Sequence, residues 1–179
     1  MSTSLLTWFL LATAIFWSVG VYNRLMRIRA QGLIALADLE LQLQGYANLL
    51  RMHIAKCGAT TLQATEAAEG WSFIFELMSR LELVLSRDRG STAPLRMSQV
   101  TDAINLMQMA WADQKQRPVD LGGQRIPDDL AAQWDAVTYQ VQIAIANFNH
   151  IMVKYNQAIT QFPARLVVGL FGFRAAGTM

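Results

Sequence analysis

Residues 127–163 read PDDLAAQWDAVTYQVQIAIANFNHIMVKYNQAITQFP, and this stretch decides the fold. Its apolar positions are Leu130, Trp134, Val137, Val141, Ala144, Phe148, Ile151, Tyr155, Ala158 and Phe162. They recur at steps of three and four, which lines up one face of an α-helix; a strand would need steps of two. Pro127, Asp128 and Asp129 suit its first turn, because acidic side chains favour the positive end of a helix. Pro163 closes it. From Pro127 to Phe162 the helix spans about 54 Å at 1.5 Å rise per residue.

The same spacing recurs upstream. One segment carries Leu36, Leu39, Leu43, Tyr46 and Leu50, a second Trp71, Ile74, Met78, Leu81 and Leu85, and a third Met97, Val100, Ile104, Met107 and Trp111. This is the seam pattern of a bundle or coiled coil. Gly58 ends the first segment, with Thr60 or Thr61 as the next cap. Gly90 and Ser91 end the second, and Pro94 opens the third with Ser91 or Thr92 as its cap. Pro118 to Pro127, with Gly122 and Gly123, is the longest loop. The fold class is therefore all-α: an N-terminal transmembrane helix continuing into an antiparallel bundle of about four long, coiled-coil-like helices.

The transmembrane reading rests on Leu5 to Tyr22, which contains no charged residue. A hydrocarbon core of about 30 Å needs roughly 17 to 25 apolar residues as helix. Leu5, Phe9, Ile15 and Phe16 supply apolar bulk, while Trp8, Trp17 and Tyr22 are rings that settle near headgroups. A cleaved signal peptide would need a positive start and a small-residue cleavage site. Met1 to Ser4 carry no charged side chain, and Asn23, Arg24 and Leu25 follow the run. Arg24, Arg27 and Arg29 lie directly after it and nothing basic precedes it, so the positive-inside rule puts the domain in the cytoplasm and Met1 outside. These residues also suit a solvated helix face. Only Gly32 interrupts the path from Tyr22 to Leu33, so the first bundle helix continues from the anchor, about 50 Å from Asn23 to Cys57.

Three regions result: an anchor over 1–22, a cytoplasmic bundle over 23–163 and an apolar tail over 164–179. Helices that alternate in direction bring Phe162 back to the membrane. The tail there, with Leu166, Leu170, Phe171 and Phe173 between Arg165 and Arg174, is too short to span as a helix. Two readings stand: interfacial lipid contact, or packing against the bundle or a neighbouring subunit. Apolar surface also exceeds one seam. Phe73, Phe75 and Leu77 point away from the Trp71–Ile74–Met78 line, and Leu106 and Met109 add to the third helix. A helix apolar on several faces is buried on several faces, which predicts self-association; a wide single core is the alternative.

The net charge of +2 does not suggest a nucleic-acid binder, which usually shows a dense basic patch. Cys57 is the single cysteine, so no internal disulfide forms, and its place far from the anchor reads as packing. The histidines are His53 and His150; Leu50 and Asn147 stand where a di-iron bundle would carry glutamate. Zinc spacing and a phosphate loop are missing, and Glu66 with Glu69 reads as helix surface. No enzyme activity, cofactor or metal is expected.

Tyr155-Asn156-Gln157-Ala158-Ile159-Thr160-Gln161-Phe162-Pro163, with Leu166 and Gly169-Leu170-Phe171-Gly172-Phe173, resembles the C-terminal signature of the LemA family. Phe148-Asn149, seven residues before Tyr155-Asn156, resembles its doubled Tyr-Asn element. Tyr22-Asn23-Arg24-Leu25 and Leu39-Glu40-Leu41-Gln42-Leu43 resemble its first-helix elements, so about half the chain carries the likeness. The resemblance implies a bacterial inner-membrane protein with an N-terminal anchor, a bundle of long helices and no established catalysis. A MamQ-like branch takes part in forming magnetosome membranes. The chain departs from the family at Gln44, Gly45, Tyr46, Ile145 and Ala146, where basic residues are usual. Tyr46, Ile145 and Ala146 suit a buried subunit contact better than a solvated face.

Two functions follow. One is a structural protein whose homo-oligomeric bundle organises or remodels the bilayer. The other is a monomeric membrane-tethered adaptor for an envelope protein complex. Partners are accordingly lipid, a second copy or other membrane proteins.

Overall fold

The protein is described by a computed structural model over residues 2–57, 65–87, 90–116, 126–162 and 164–179, with side chains at 2, 3, 54, 56, 57 and 65–71 left aside. Helices α1 (Ser2–Cys57), α2 (Thr65–Ser86), α3 (Pro94–Gln116), α4 (Asp128–Thr160) and α5 (Ala164–Phe171) account for it, and no strand occurs among the described residues. Gly58, Thr60, Thr61, Pro118, Gly122, Gly123, Pro163 and the side chains of Cys57, Glu66, Glu69 and Trp71 lie outside the described residues.

The apolar run and the first seam form one unbroken helix, α1, as the absence of breakers predicts. Its 56 residues make a rod of about 84 Å. Gly32, an unfavourable residue inside a helix, stands where the Met152 side chain of α4 packs on α1. A Cβ there would collide with the methyl group of Met152. α4 begins at Asp128, as its acidic first turn predicts, and the Ala131 amide donates to the Pro127 carbonyl. It runs back along α1, with Trp134 against Tyr46 at its start and Met152 against Gly32 further on.

The core has two apolar clusters. The distal one joins Leu43, Tyr46, Ile74, Leu81, Met107, Trp111, Trp134 and Val141 from α1 to α4. Aromatic rings tie three helices together: Trp111 of α3 stacks on Trp134 of α4 at 4.0 Å, and Trp134 meets Tyr46 of α1 at 4.5 Å. Tyr46, expected from its sequence departure to suit a subunit contact, is fully buried inside this core. Its hydroxyl donates to Thr138 Oγ1 at 2.9 Å. Burial raises its pKa above 10.0, and hydrogen bonds with Thr138 and Gln108 partly oppose the shift. The proximal cluster joins Leu25, Leu36, Met97, Phe148, Met152 and Tyr155.

The α2–α3 turn is built around Arg96. Gly90 adopts φ 77°, a left-handed conformation natural to glycine. α3 starts at Pro94, so its cap position is Ala93 rather than Ser91 or Thr92. The reason is that Ser91 Oγ accepts the Ala93 amide, and proline preorganises the first helical position. The buried Arg96 guanidinium donates to the carbonyls of Leu85, Arg87 and Ser91 and to Glu40 Oε1 on α1 at 2.7 Å. One cation thus neutralises the negative end of α2, holds the turn and docks it on α1.

Candidate membrane-facing site

α1 contains one stretch long and apolar enough to cross a membrane, and none of its most apolar 18-residue window is buried in the protein. Leu5, Trp8, Phe9, Ile15 and Phe16 are all exposed, Phe16 at 82%. Trp17 is exposed to a lesser degree, at 39%. Such a continuous apolar rod is out of keeping with water as its only neighbour.

The segment after α4 returns to this rod. Its eight-residue helix α5 was not separately legible in the tail. Val167 is buried, while Leu166, Leu170 and Phe171 are exposed. Phe171 packs on Tyr22 at 4.9 Å between ring centres, and Phe173 meets the same ring edge-on at 5.9 Å. Gly172, at φ 68°, ends α5, and the Phe173 amide donates to the Val168 carbonyl. This is the glycine-centred reversal that satisfies the last carbonyls of a helix.

Beyond the reversal, the chain folds back onto its own bundle. Asn149 Nδ2 donates to the Met179 carbonyl and Asn149 Oδ1 accepts the Met179 amide. Asn156 makes the same pair of bonds with Ala176, at 2.9 Å each. The spacing explains the doubled aromatic–Asn element. Seven helical residues rise about 10.5 Å, and three residues of extended chain cover about 10 Å, so both amides engage in register. Phe148 and Tyr155 are buried beside them. The Tyr155 hydroxyl donates to the Arg174 carbonyl, and burial raises its pKa against the opposing charge of Arg29. Gly177 passes so close to α3 that a Cβ would lie 2.6 Å from Pro94 Cα. Its amide donates to the Thr92 carbonyl at 2.8 Å.

The tail packs against its own chain in two parts. Residues 164–171 lie beside the apolar part of α1, and residues 173–179 pack on the bundle. Arg24, Arg27 and Arg29 are all exposed just beyond Tyr22, and Arg174 is exposed on the tail. The described residues singled out for self-association differ in exposure. Phe73 is 53% exposed, whereas Phe75 and Ile145 are half-buried against the distal core. Leu77, expected to point away from the seam, is buried. Sequence reading missed Arg96 and the tail-clamping role of the asparagines. A lone arginine in the apolar opening of α3 was the available signal for the first. His53 is half-buried and His150 exposed, and the described residues hold no group of three metal-binding side chains.

Comparison with family models, with curated proteins and with solved structures found no match to this chain.

Proposed function

We propose that this chain is a membrane-anchored structural protein of the bacterial inner membrane that self-assembles and organises or remodels the bilayer. In this reading α1 crosses the membrane once with Met1 outside. The cytoplasmic helices form an up-and-down bundle of the kind its LemA-like motifs suggest. It is not an enzyme.

The observation that carries the reading is the position of α5. An exposed apolar helix sits beside the exposed apolar part of α1, although the two are far apart in sequence. Together they give one end of the molecule two lipid-compatible surfaces, one long enough to span and one short enough to lie in the interface. The exposed arginines after Tyr22 favour placing that end on the cytoplasmic leaflet.

Electron microscopy of the pure protein, in detergent and after mixing with liposomes, tests this. The expected result is regular assemblies together with coated or reshaped vesicles. Small uniform particles and unaltered liposomes would refute it and favour the monomeric adaptor.

A further inference from the structure

Two cavities at the membrane-proximal end flank the α5 reversal. The first, about 370 Å³, is a groove between α1 and α5. Ile15, Val19 and Tyr22 face Leu166, Leu170 and Phe171 across it. The second, about 250 Å³, is a cleft of mixed polar and apolar lining that includes Arg29 of α1, Tyr155 of α4 and Arg174 of the tail. Phe171 lines the groove and the adjacent Gly172 lines the cleft, so the two spaces are neighbours.

Charge and register point to one occupant. Among the described residues no aspartate or glutamate lines the cleft. Among the described residues neither Arg29 nor Arg174 forms an ion pair. Ile15, Tyr22 and Arg29 are seven residues apart in turn, so they share one face of α1 at intervals of about 10.5 Å. With Tyr22 at the edge of a hydrocarbon half-layer about 15 Å thick, Ile15 lies well inside it. Arg29 then lies outside, within reach of the headgroups through its long side chain. An amphiphile with an anionic head and an apolar chain matches that order. Guanidinium groups recognise phosphate oxygens through paired hydrogen bonds.

We infer that these cavities hold one anionic phospholipid of the cytoplasmic leaflet, its phosphate between Arg29 and Arg174 and an acyl chain along the α1–α5 groove. This rests on the reading of α1 as the membrane anchor.

Native mass spectrometry of the full chain in non-ionic detergent, mixed with phosphatidylglycerol or phosphatidylcholine, tests it. One phosphatidylglycerol per chain should be retained, with a preference of about tenfold over phosphatidylcholine. Arg29→Gln with Arg174→Gln should abolish the preference while helicity by circular dichroism is unchanged. Arg24→Gln with Arg27→Gln, whose side chains are outside the cleft lining, should preserve it. Val19→Trp, which fills the groove, should lower retention of both lipids. Equal retention by the wild type, or a preference that survives the Arg29/Arg174 change, overturns the site. Retention unaffected by Val19→Trp overturns the acyl-chain placement. Displacement of the lipid by millimolar inorganic phosphate would reveal a plain anion site and overturn the lipid assignment. Flotation with phosphatidylcholine vesicles tests the anchor separately: a chain that floats and reshapes vesicles without the preference loses this site and keeps its proposed function.

Discussion

At the residue scale, Arg96 ties three carbonyls of the α2–α3 turn to Glu40 of α1. Its side chain is 6% exposed and its partner Glu40 is 18% exposed. Removing one member of a buried charged pair leaves the other without compensation, typically at about 3–5 kcal/mol. Arg96→Met, which also strips the carbonyls of Leu85, Arg87 and Ser91, is expected to fall in that range. Glu40→Gln should cost less, about 1.5–3 kcal/mol, because the carbonyl bonds remain. Thermal melts followed by circular dichroism measure both. A larger loss in Glu40→Gln would contradict the assignment of the turn to Arg96. Tyr46 gives a pH dependence. Its folded pKa is raised above 10.0 by burial, so its contribution is complete below pH 10.0 and is lost as pH rises through the folded value. The melting temperature should therefore decline above that pH, and decline less steeply in Tyr46→Phe. At neutral pH that substitution should cost about 1–3 kcal/mol, the net worth of its hydrogen bonds with Thr138 and Gln108.

At the element scale, the C-terminal segment is held by side-chain amides instead of a sheet partner. Each asparagine supplies two hydrogen bonds to it, and the net value of each bond is about 0.5–1.5 kcal/mol. Asn149→Ala with Asn156→Ala should release residues 173–179 while α1 and α4 remain helical. Hydrogen exchange reads this directly: amides of Ala176, Gly177 and Met179 should be protected in the wild type and exchange rapidly in the variant. Gly177→Val should have the same effect by collision with Pro94. Unchanged protection in both variants would mean that the tail is held by other contacts. The periodicity of α4 was readable because core spacing is a local property of the chain. The register between its asparagines and the tail was not, since it needs the helix and the returning segment side by side.

At the scale of the whole molecule, the two phenylalanines of α2 meet different surroundings. Phe73 and Phe75 were equivalent in sequence, yet only Phe75 packs on the distal core. Phe73→Ser is expected to reduce particle mass in detergent and leave thermal stability intact. Phe75→Ser should lower stability by about 2–3 kcal/mol through lost core contacts. Identical behaviour of the two variants would remove Phe73 as an assembly contact. Membrane orientation has its own test. Protease should cleave after the α1 arginines in inside-out vesicles and spare them in right-side-out vesicles.

The sequence by itself determined the all-helical class, the exposed apolar start of α1 and the break between α2 and α3 at Gly90 and Pro94. Each of these follows from residues near one another along the chain: apolar spacing, an uncharged run, and prolines or glycines at element ends. Tertiary structure alone decided that Arg96 joins α2, α3 and α1, that Asn149 and Asn156 clamp the returning tail, and that the tail reverses at Gly172. These depend on contacts between distant residues, which the helix period leaves open. The same periodic face serves a core, a partner or a lipid, and only the neighbours brought by the fold distinguish them.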